Sequence, residues 1–541
     1  MITLTGTATL TRLALRRDRI TLPAWILGLT IFTTATTALW ANEFRNPAAD
    51  LVQETRVTAT NPGIRMLGLA SGPSVGGYAM VRDYLLLAVL AALMSTFAVV
   101  RHTRQSEESG RAELIGAASV GRYANLAAAL IVTIVSNIVL AALLGLGLIV
   151  AGQPPGGAFA AGAAVAAVGV AFAGVAAVTA QLASSTRGAS GLAAAVLGVA
   201  FLTSGIGNMA GRVDPSGLRV NSAWPAWLSP IGWGQQMRPF GGDHWWPLGL
   251  AVALFLACTG TAVLLAARRD FGQGILPQRR GRAQAGRVLR SPVGLAWHLQ
   301  RSAFIGWAIG MLGFGLVMGG LIGQVKDSTG AARDWYTEMG GSELILDAYR
   351  ASVMQMAGMA AAIYTVQVLL RIRAEEVDGP VEQVLSTAVS RFRWVAGHAV
   401  TALLGATTLL LLFATGSGLA AGGVLGDRAG QVRILQGAAL VQMPGILVVA
   451  AAVIAAAGLI PRFAAALSWA LLMAFILVGP LFGPTFKLPL WVQDLSPFTH
   501  VPKAPAVAVT TAPVLTLLAV VAALTLTGLL SLRHRNLTLP A

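Results

Sequence analysis

The sequence has little charge and almost no cysteine. Only 11% of its 541 residues are charged while 55% are hydrophobic, and the mean hydropathy is +0.70. Soluble domains carry about 25% charged residues, so this chain cannot cover its own surface with polar groups, and we expect lipid to be its solvent. The single cysteine, Cys258, lies in an apolar run, which excludes an internal disulfide and suggests no metal cluster.

Motifs of nucleotide binding and of soluble catalysis are also missing. The chain contains no GxxxxGKS/T phosphate loop and no HExxH, CxxC or GxSxG pattern, so we expect neither a nucleotide site of that kind nor a metal site on it. The central parts of its apolar runs lack Asp, Glu, Lys and Arg. Arg82 and Asp83 are expected at the mouth of the second run, and His398 at the end of the ninth. Proton relays use ionisable residues inside the membrane, so energy is expected to enter elsewhere.

Twelve apolar runs are long enough to cross a bilayer as helices. We therefore predict an all-α integral membrane protein with twelve transmembrane helices, whose first run stays as an anchor and is not a cleaved signal. The runs lie near residues 21–41, 79–100, 124–151, 157–180, 189–209, 246–267, 302–323, 353–370, 396–421, 436–460, 463–484 and 512–532.

The distribution of basic residues predicts the orientation. With a cytoplasmic N-terminus, the inner segments hold most of the 38 Lys and Arg residues, and the segment 268–301 is rich in arginine. Cytoplasmic loops carry such an excess, so we expect a multi-pass protein of the cell membrane with both termini in the cytoplasm. The net charge of +16 is then a topology signal and an attraction to the lipid bilayer, and nucleic-acid binding is not needed to explain it.

One charged stretch occurs twice, and we call its copies the first and second charged islands. Residues 104–122 (RQSEESGRAELIGAASVGR) match residues 373–391 (RAEEVDGPVEQVLSTAVSR), each between the second and third apolar runs of its half. A helix that starts at the island glycine would carry the second glutamate in its first turn, where the helix macrodipole favours an anion. We interpret the duplicated island as a docking element; the alternative is a solvated loop between helices.

The repeat extends over the whole chain. The residues Trp224, Leu228, Ser229 and Pro230 recur as Trp491, Leu495, Ser496 and Pro497, in both cases before the last run of a half. Six runs per half give both halves the same orientation. We therefore predict two parallel six-helix repeats related by a pseudo-twofold axis along the membrane normal, with a shared pathway. The predicted parts are a first half at 1–267, a basic cytoplasmic linker with a second elbow helix at 268–301, and a second half at 302–541.

Together, the short N-terminal elbow, the E-x-x-G-x-x-E island and the L-S-P segment resemble the permease of ATP-binding-cassette (ABC) exporters of the type-2 class. Two six-span units fused in one chain resemble its actinobacterial antibiotic- and multidrug-efflux members of the tetronasin-resistance transmembrane protein type. The resemblance covers essentially the whole chain. It implies a permease, without enzymatic activity of its own, that exports amphipathic compounds such as antibiotics, drugs or lipids. The energy would come from ATP hydrolysed by separate subunits.

In that family the island forms a coupling helix that rests in a groove of the ATPase subunit. The resemblance therefore implies two bound copies of an ABC ATPase subunit, which would hold the ATP and Mg, with no cofactor on this chain. The implied ATPase-coupling residues are Glu107, Gly110, Glu113 and Arg122 in the first island and Glu376, Gly379, Glu382 and Arg391 in the second. The second island departs from the first, with Pro380 in place of Arg111 and Glu375 in place of Ser106. Proline suits the first turn of a helix, so we expect two contacts of unequal strength.

The resemblance also implies amphipathic elbows at 8–19 and 290–301, and a substrate pathway between spans one, two and five of each unit. The side chains at those spans are methionines, aromatics and one glutamine, which can repack around varied apolar guests but also fill ordinary membrane cores. The implied pathway residues are Phe32, Tyr84, Met94, Phe97, Met354, Met356, Met359, Tyr364 and Gln367.

Two other classes remain as alternatives. A twelve-span secondary, ion-coupled drug transporter is disfavoured by the missing charge inside the runs, and it has no need of a twin charged island. A lipid-modifying membrane enzyme would need polar catalytic residues at the interface, and the six histidines form no such constellation.

Overall fold

The computed structural model describes residues 4–44, 48–60, 62–111, 113, 119–270, 272–276, 284, 286–325, 345–377, 379–481, 483 and 488–535. They form two compact units, Met1–Arg280 and Gly281–Ala541. The division falls inside the segment 268–301, for which the sequence predicts a linker.

The first unit is helical apart from one small hairpin. Its helices are α1 (Thr7–Arg17), α2 (Thr21–Glu43), α3 (Ala48–Thr60), α4 (Pro62–Leu67), α5 (Val75–His102), α6 (Arg104–Glu108), α7 (Ala124–Val150), α8 (Pro155–Leu182), α9 (Thr186–Met209), α10 (Pro230–Gln236) and α11 (Pro247–Arg268). A 3-10 turn lies at Trp224–Leu228, and the antiparallel strands β1 (Arg212–Val213) and β2 (Val220–Asn221) form the hairpin. The alanine-rich α8 is the most enclosed of these helices, since small residues let neighbouring backbones approach closely.

The described residues of the second unit contain helices and connecting turns but no strand. Its helices are α12 (Pro292–Gly320), α13 (Ile322–Val325), α14 (Ile345–Leu369), α15 (Arg371–Val377), α16 (Pro380–Leu385), α17 (Arg391–Leu425), α18 (Arg428–Leu440), α19 (Met443–Leu459), α20 (Ala464–Ile476), α21 (Leu490–Gln493) and α22 (Thr511–His534), with short 3-10 and π-helical turns at Arg287–Arg290 and Leu477–Leu481. Its core lies among α12, α14, α17 and α19.

Eleven spans in the described residues are long and apolar enough to cross a membrane, which confirms an all-α membrane protein. They are α2, α5, α7, α8, α9, α11, α12, α14, α17, the α18–α19 pair and α22. The span predicted at 463–484 is not confirmed, because the helix there has only 13 residues. The backbone leaves the helical region at Gly479, where ψ is −107°, and Pro480 follows. Proline has no backbone N–H to continue a helix.

The two predicted elbows differ in structure. The first is a separate helix, α1, whose Leu13 and Leu15 are exposed while Leu10 packs on Ala124 and Ala128 of α7. At 290–301, where the resemblance implies a second elbow, residues from Pro292 onward belong to the same continuous helix as the following span. Nothing interrupts helical geometry there, whereas in the first unit the chain turns at Asp18.

The repeated L-S-P segment makes the same contact in both units. In the first, Ser229 Oγ donates to the carbonyl of Ala200 in α9 at 2.6 Å and accepts from Ile231 N at the start of α10. In the second, Ser496 Oγ donates to the carbonyl of Phe475 in α20 at 2.7 Å. The serine therefore ties the segment before the last span to the preceding helix of its unit.

Two spans start earlier than predicted, and this changes where charged residues lie. Because α5 begins at Val75, Asp83 lies more than two turns inside it and is buried, with Thr36 Oγ1 of α2 donating to Oδ2 at 2.6 Å. Likewise α14 begins at Ile345 and includes an Asp347–Arg350 ion pair of 2.6 Å. Arg82 and Asp83, expected at the mouth of this span, thus lie within the helix and not before its start.

Candidate functional site

In the first charged island, Glu107 is enclosed by arginines. It lies on α6, just after the end of α5, and its carboxylate pairs with Arg104 Nη1 at 2.9 Å and with Arg269 Nη2 at 2.5 Å. Arg104 is fully buried and also donates to the carbonyl of Ala180 at the end of α8. We call Arg104, Glu107 and Arg269 the first triad.

The second island contains the same arrangement. Glu376 on α15 is buried and pairs with Arg373 Nη1 at 2.8 Å and with Arg535 Nη2 at 2.5 Å. Arg535 directly follows α22, as Arg269 directly follows α11. We call Arg373, Glu376 and Arg535 the second triad. In each unit a triad therefore joins the end of the second span to the end of the last span.

Buried charges need this degree of pairing. A carboxylate taken out of water is strongly destabilised unless counter-charges and hydrogen bonds replace its hydration. Two guanidinium groups per carboxylate supply both, and Arg269 additionally donates to Gln181 Oε1 at 2.6 Å. Glu107 and Glu376 thus connect parts of their own unit, and their side chains are only 8% and 0% exposed.

The island glycines hold the chain in a conformation that other residues avoid. Gly110 has φ +70° and Gly379 has φ +89°, both in the left-handed region that glycine adopts without steric cost. At both positions the space for a Cβ atom is open, so the backbone conformation and not crowding explains the glycine. Each glycine carbonyl accepts from the N–H three residues later, at Glu113 (3.2 Å) and Glu382 (3.1 Å).

Glu113 and Glu382 are exposed. In the second island the helix predicted to start at the glycine is present as α16, with Gly379 before its first turn and Glu382 within it. In the first island residues 112 and 114–118 lie outside the described residues. Each island therefore carries an exposed carboxylate three residues after its glycine; in the first island Glu108, before the glycine, is exposed as well and accepts from Thr186 N at 2.8 Å.

Arg122 and Arg391 contact the last span of their own unit. Arg122 Nη2 donates to the carbonyls of Ala266 and Ala267 at the end of α11, at 2.8 and 3.1 Å. Arg391 Nη1 donates to the carbonyls of Leu532 and Arg535 at the end of α22, at 3.2 and 2.8 Å. The last carbonyls of a helix lack partners within it and attract cations, so both arginines cap these ends.

Beside the second island lies a buried polar cluster that has no counterpart at the matching position of the first island. Glu375 accepts from Trp394 Nε1 at 3.0 Å and lies 3.2 Å from His398 Nε2, while His398 Nδ1 lies 3.2 Å from Gln300 Nε2. At the matching position of the first island, Ser106 Oγ donates to the carbonyl of Arg101. His398, expected at the membrane interface, is therefore buried.

The first unit has its own buried pair at the turn between α1 and α2. Asp18 lies 2.6 Å from His102 Nε2 and 2.5 Å from Arg101 Nη1, both in the last turn of α5. Burial alone would raise the pKa of the Asp18 carboxyl, but the hydrogen bonds with His102 and Arg101 outweigh it and hold the pKa below its ordinary value. The elbow helix is thereby fastened to the second span, next to the first island.

Most of the expected pathway residues are buried within one unit and face its own core. Tyr84 donates to the carbonyl of Ile231 at 3.0 Å, and Trp307 Nε1 donates to Gln367 Oε1 at 2.9 Å. Tyr364 is fully buried, and its hydroxyl has no partner among the described residues. The buried members are Tyr84, Met94, Met354, Met359 and Tyr364, the partly buried ones are Phe32 and Met356, and the exposed ones are Phe97 and Gln367.

Sequence reasoning missed the partners of the island glutamates. Arg269 and Arg535 are separated from Glu107 and Glu376 by 162 and 159 positions. The signal that could have found them is their shared position, since each is the first residue after the last span of its half.

Comparison with known proteins gives two matches. The family model described as the C-terminal domain of the multidrug efflux system permease Rv1217c matches residues 8–266 and 289–533. The multidrug efflux system permease protein Rv1217c of Mycobacterium tuberculosis (strain ATCC 25618 / H37Rv) is 37% identical over 536 residues, which cover 98% of this chain and 95% of that protein.

Proposed function

This chain belongs to the family of Rv1217c-type multidrug efflux permeases, and from that premise we propose that it is the membrane-spanning permease of a type-2 ABC exporter. It moves amphipathic compounds, such as antibiotics, drugs or lipids, out of the cell. The energy comes from ATP that separate subunits hydrolyse, with ATP and Mg bound on those subunits. Two copies of the ATPase subunit bind, one at each charged island.

The observation that carries the proposal is the contrast, within each island, between the glutamate of the triad and the glutamate that follows the glycine. Glu107 and Glu376 are enclosed by arginines, whereas Glu113 and Glu382 are exposed beyond a left-handed glycine. An exposed carboxylate on a segment anchored to two spans is suited to receive a partner and to pass its movement on. A displacement at Glu113 acts through the first triad on the ends of α5 and α11 together.

The exposed carboxylates define the chemistry of the partner surface. An interface that docks them presents basic side chains or helix N-termini, because these are the groups that stabilise a desolvated carboxylate. In this proposal both islands and both termini lie on the cytoplasmic side, in agreement with the excess of arginine in 268–301. The two contacts differ in strength, because Glu375 and its buried cluster stiffen the second island only.

Two measurements test the proposal. The permease is purified with its bound subunits from the native membrane, and the native mass is expected to correspond to one permease with two ATPase subunits. A complex of two permease chains with two ATPase subunits would contradict the interpretation that one chain contains both permease units of the exporter.

The second measurement concerns the energy source. Vesicles that contain the complex are expected to transport a fluorescent amphipathic drug with ATP alone while an uncoupler collapses the proton gradient. Transport that stops with the uncoupler while ATP remains would favour an ion-coupled transporter.

A further inference from the structure

The second unit carries an apolar groove on its outer surface, between the start of α17 and the end of α22. We call it the Phe392 groove; its volume is about 540 Å³. Phe392 and Val395 line one side, and Leu526 and Leu530 line the other. Phe392 is 62% exposed and Leu526 60% exposed, so the groove opens outward, where a membrane-spanning chain meets lipid.

One end of the groove is basic. Arg391 is the first residue of α17, and Arg533 lies in the last turn of α22. Both line the groove. Within the described part of the chain neither forms an ion pair with a carboxylate, and Arg391 Nη1 donates to main-chain carbonyls only. Their positive charge is therefore not neutralised by the protein there.

The groove places charge and apolar surface at the spacing of a phospholipid. Helix ends lie at the headgroup level of a bilayer, and Leu526 lies two turns further along α22, about 10 Å away from Arg533 at 1.5 Å per residue. A guanidinium group binds a phosphate through paired N–H donors, while the leucines and Phe392 offer a surface for the first part of an acyl chain. We propose that the Phe392 groove binds one anionic phospholipid, with its phosphate on Arg533 and Arg391 and an acyl chain along Leu526 and Leu530.

The first unit lacks the same combination at the matching place. If Arg535 matches Arg269, as their identical role in the triads indicates, then Ala267 stands where the second unit has Arg533. Tyr123 stands where it has Phe392. Only one of the two basic residues, Arg122, is present. The site is therefore expected once per chain, in the second unit, and it does not depend on the identity of the energy source or of the exported compound.

The test is a lipid titration of the purified full chain in detergent. The melting temperature is followed against added dioleoyl phosphatidylglycerol, against the phosphatidylcholine with the same chains, and against sn-glycerol 3-phosphate. The anionic lipid is expected to stabilise the chain at the lowest concentration. Glycerol phosphate, which has the anion without the chains, is expected to have no effect. If both lipids reach half-saturation at the same concentration, the proposal is overturned. If glycerol phosphate raises the melting temperature as much as phosphatidylglycerol does, the site binds soluble anions instead.

Variants assign the effect to the groove. Arg533→Ala removes about 1 kcal/mol of attraction to an anionic headgroup, so it is expected to raise the half-saturating phosphatidylglycerol concentration about fivefold and to leave the phosphatidylcholine titration unchanged. Leu530→Trp fills the groove and is expected to weaken both. The matched control is Arg268→Ala, in the last turn of α11, which should titrate like the wild type.

Three results overturn the assignment. If Arg533→Ala keeps the half-saturating phosphatidylglycerol concentration of the wild type, the groove is not the site. If Arg268→Ala raises that concentration as much as Arg533→Ala does, lipid is attracted to basic residues in general. If the chain distinguishes phosphatidylglycerol from phosphatidylcholine only after residues 536–541 are removed, the groove is covered by the chain's own terminus.

Discussion

Nη1 of Arg269 lies 2.8 Å from Oε2 of Glu107, although 162 positions of sequence separate the two residues. Glu376 and Arg535, 159 positions apart, repeat this relationship in the second unit. Both pairs join the charged island to the residue that follows the last span. Each island is consequently a part of its unit's architecture as well as a candidate docking surface, and the two roles fall on different glutamates.

The first prediction concerns the triads. Glu107→Gln and Glu376→Gln keep the side-chain shape but leave buried arginines without a counter-charge, and breaking a buried pair typically costs about 3–5 kcal/mol. Each variant is expected to lower the free energy of unfolding by about that amount, measured by denaturant titration in detergent. The matched control is Glu113→Gln, an exposed site, which should change stability by about 0.5 kcal/mol or less. Equal stability of Glu107→Gln and the control would mean that the triad contributes nothing.

The second prediction concerns the island glycines. Gly110→Ala and Gly379→Ala meet open space but place a Cβ atom on a left-handed residue, which costs about 1–2 kcal/mol. Both are expected to lower the melting temperature. Gly260→Ala in α11, also in open space but in regular helix, should be neutral or stabilising. If all three variants change the melting temperature equally, the left-handed backbone at the island glycines does not affect stability.

The third prediction concerns docking and depends on the proposed function. Replacing Glu113 and Glu382 together with lysine is expected to release the ATPase or to stop transport, because removing a desolvated charge partner at an interface costs about 2–5 kcal/mol. Membrane abundance should stay normal, since neither residue lies in a span or a triad. The measurements are ATPase co-purification and drug transport. The single variants should be milder and unequal. Full transport by the double variant at normal abundance would show that both glutamates belong to ordinary solvated loops.

The fourth prediction concerns acid stability. The pKa of Asp18 is lower in the folded chain than its ordinary value, so its ion pairs contribute stability that is present above about pH 4. That stability is lost as the pH falls through the folded-state pKa. The melting temperature of wild type is expected to exceed that of Asp18→Asn near neutral pH, and the gap should shrink below about pH 4. The exposed control Asp270→Asn should follow the wild type. A gap that stays constant down to pH 3 would contradict a charged Asp18.

The sequence predicted the membrane class and most of the spans because their signal is local. A run of about twenty apolar residues must bury its backbone polar groups in a helix wherever it stands in the chain. The signal fails where geometry depends on single residues, as at Gly479 and Pro480, where the apolar run continues but the helix does not. It also fails at helix starts, because Val75 to Tyr78 carry no apolar pattern that separates them from the preceding loop.

The islands were found from their duplication, but the role of each residue could not be read from it. A repeat shows which residues match between the halves and not what they touch. Glu107 and Glu113 look alike in sequence, yet one is enclosed by two arginines and the other is exposed. The difference depends on Arg269, whose approach follows from how α5, α8 and α11 pack.

The triads also set an order of events during synthesis. Glu107 meets Arg104 as soon as α6 forms, but Arg269 is made 162 residues later, which at about 5–20 residues per second means roughly 10–30 s. Until then a carboxylate at the end of the second span has half of its counter-charge. The same delay recurs with Glu376 and Arg535. The pairing of each of these two glutamates is therefore completed only after the last helix of its half has been synthesised.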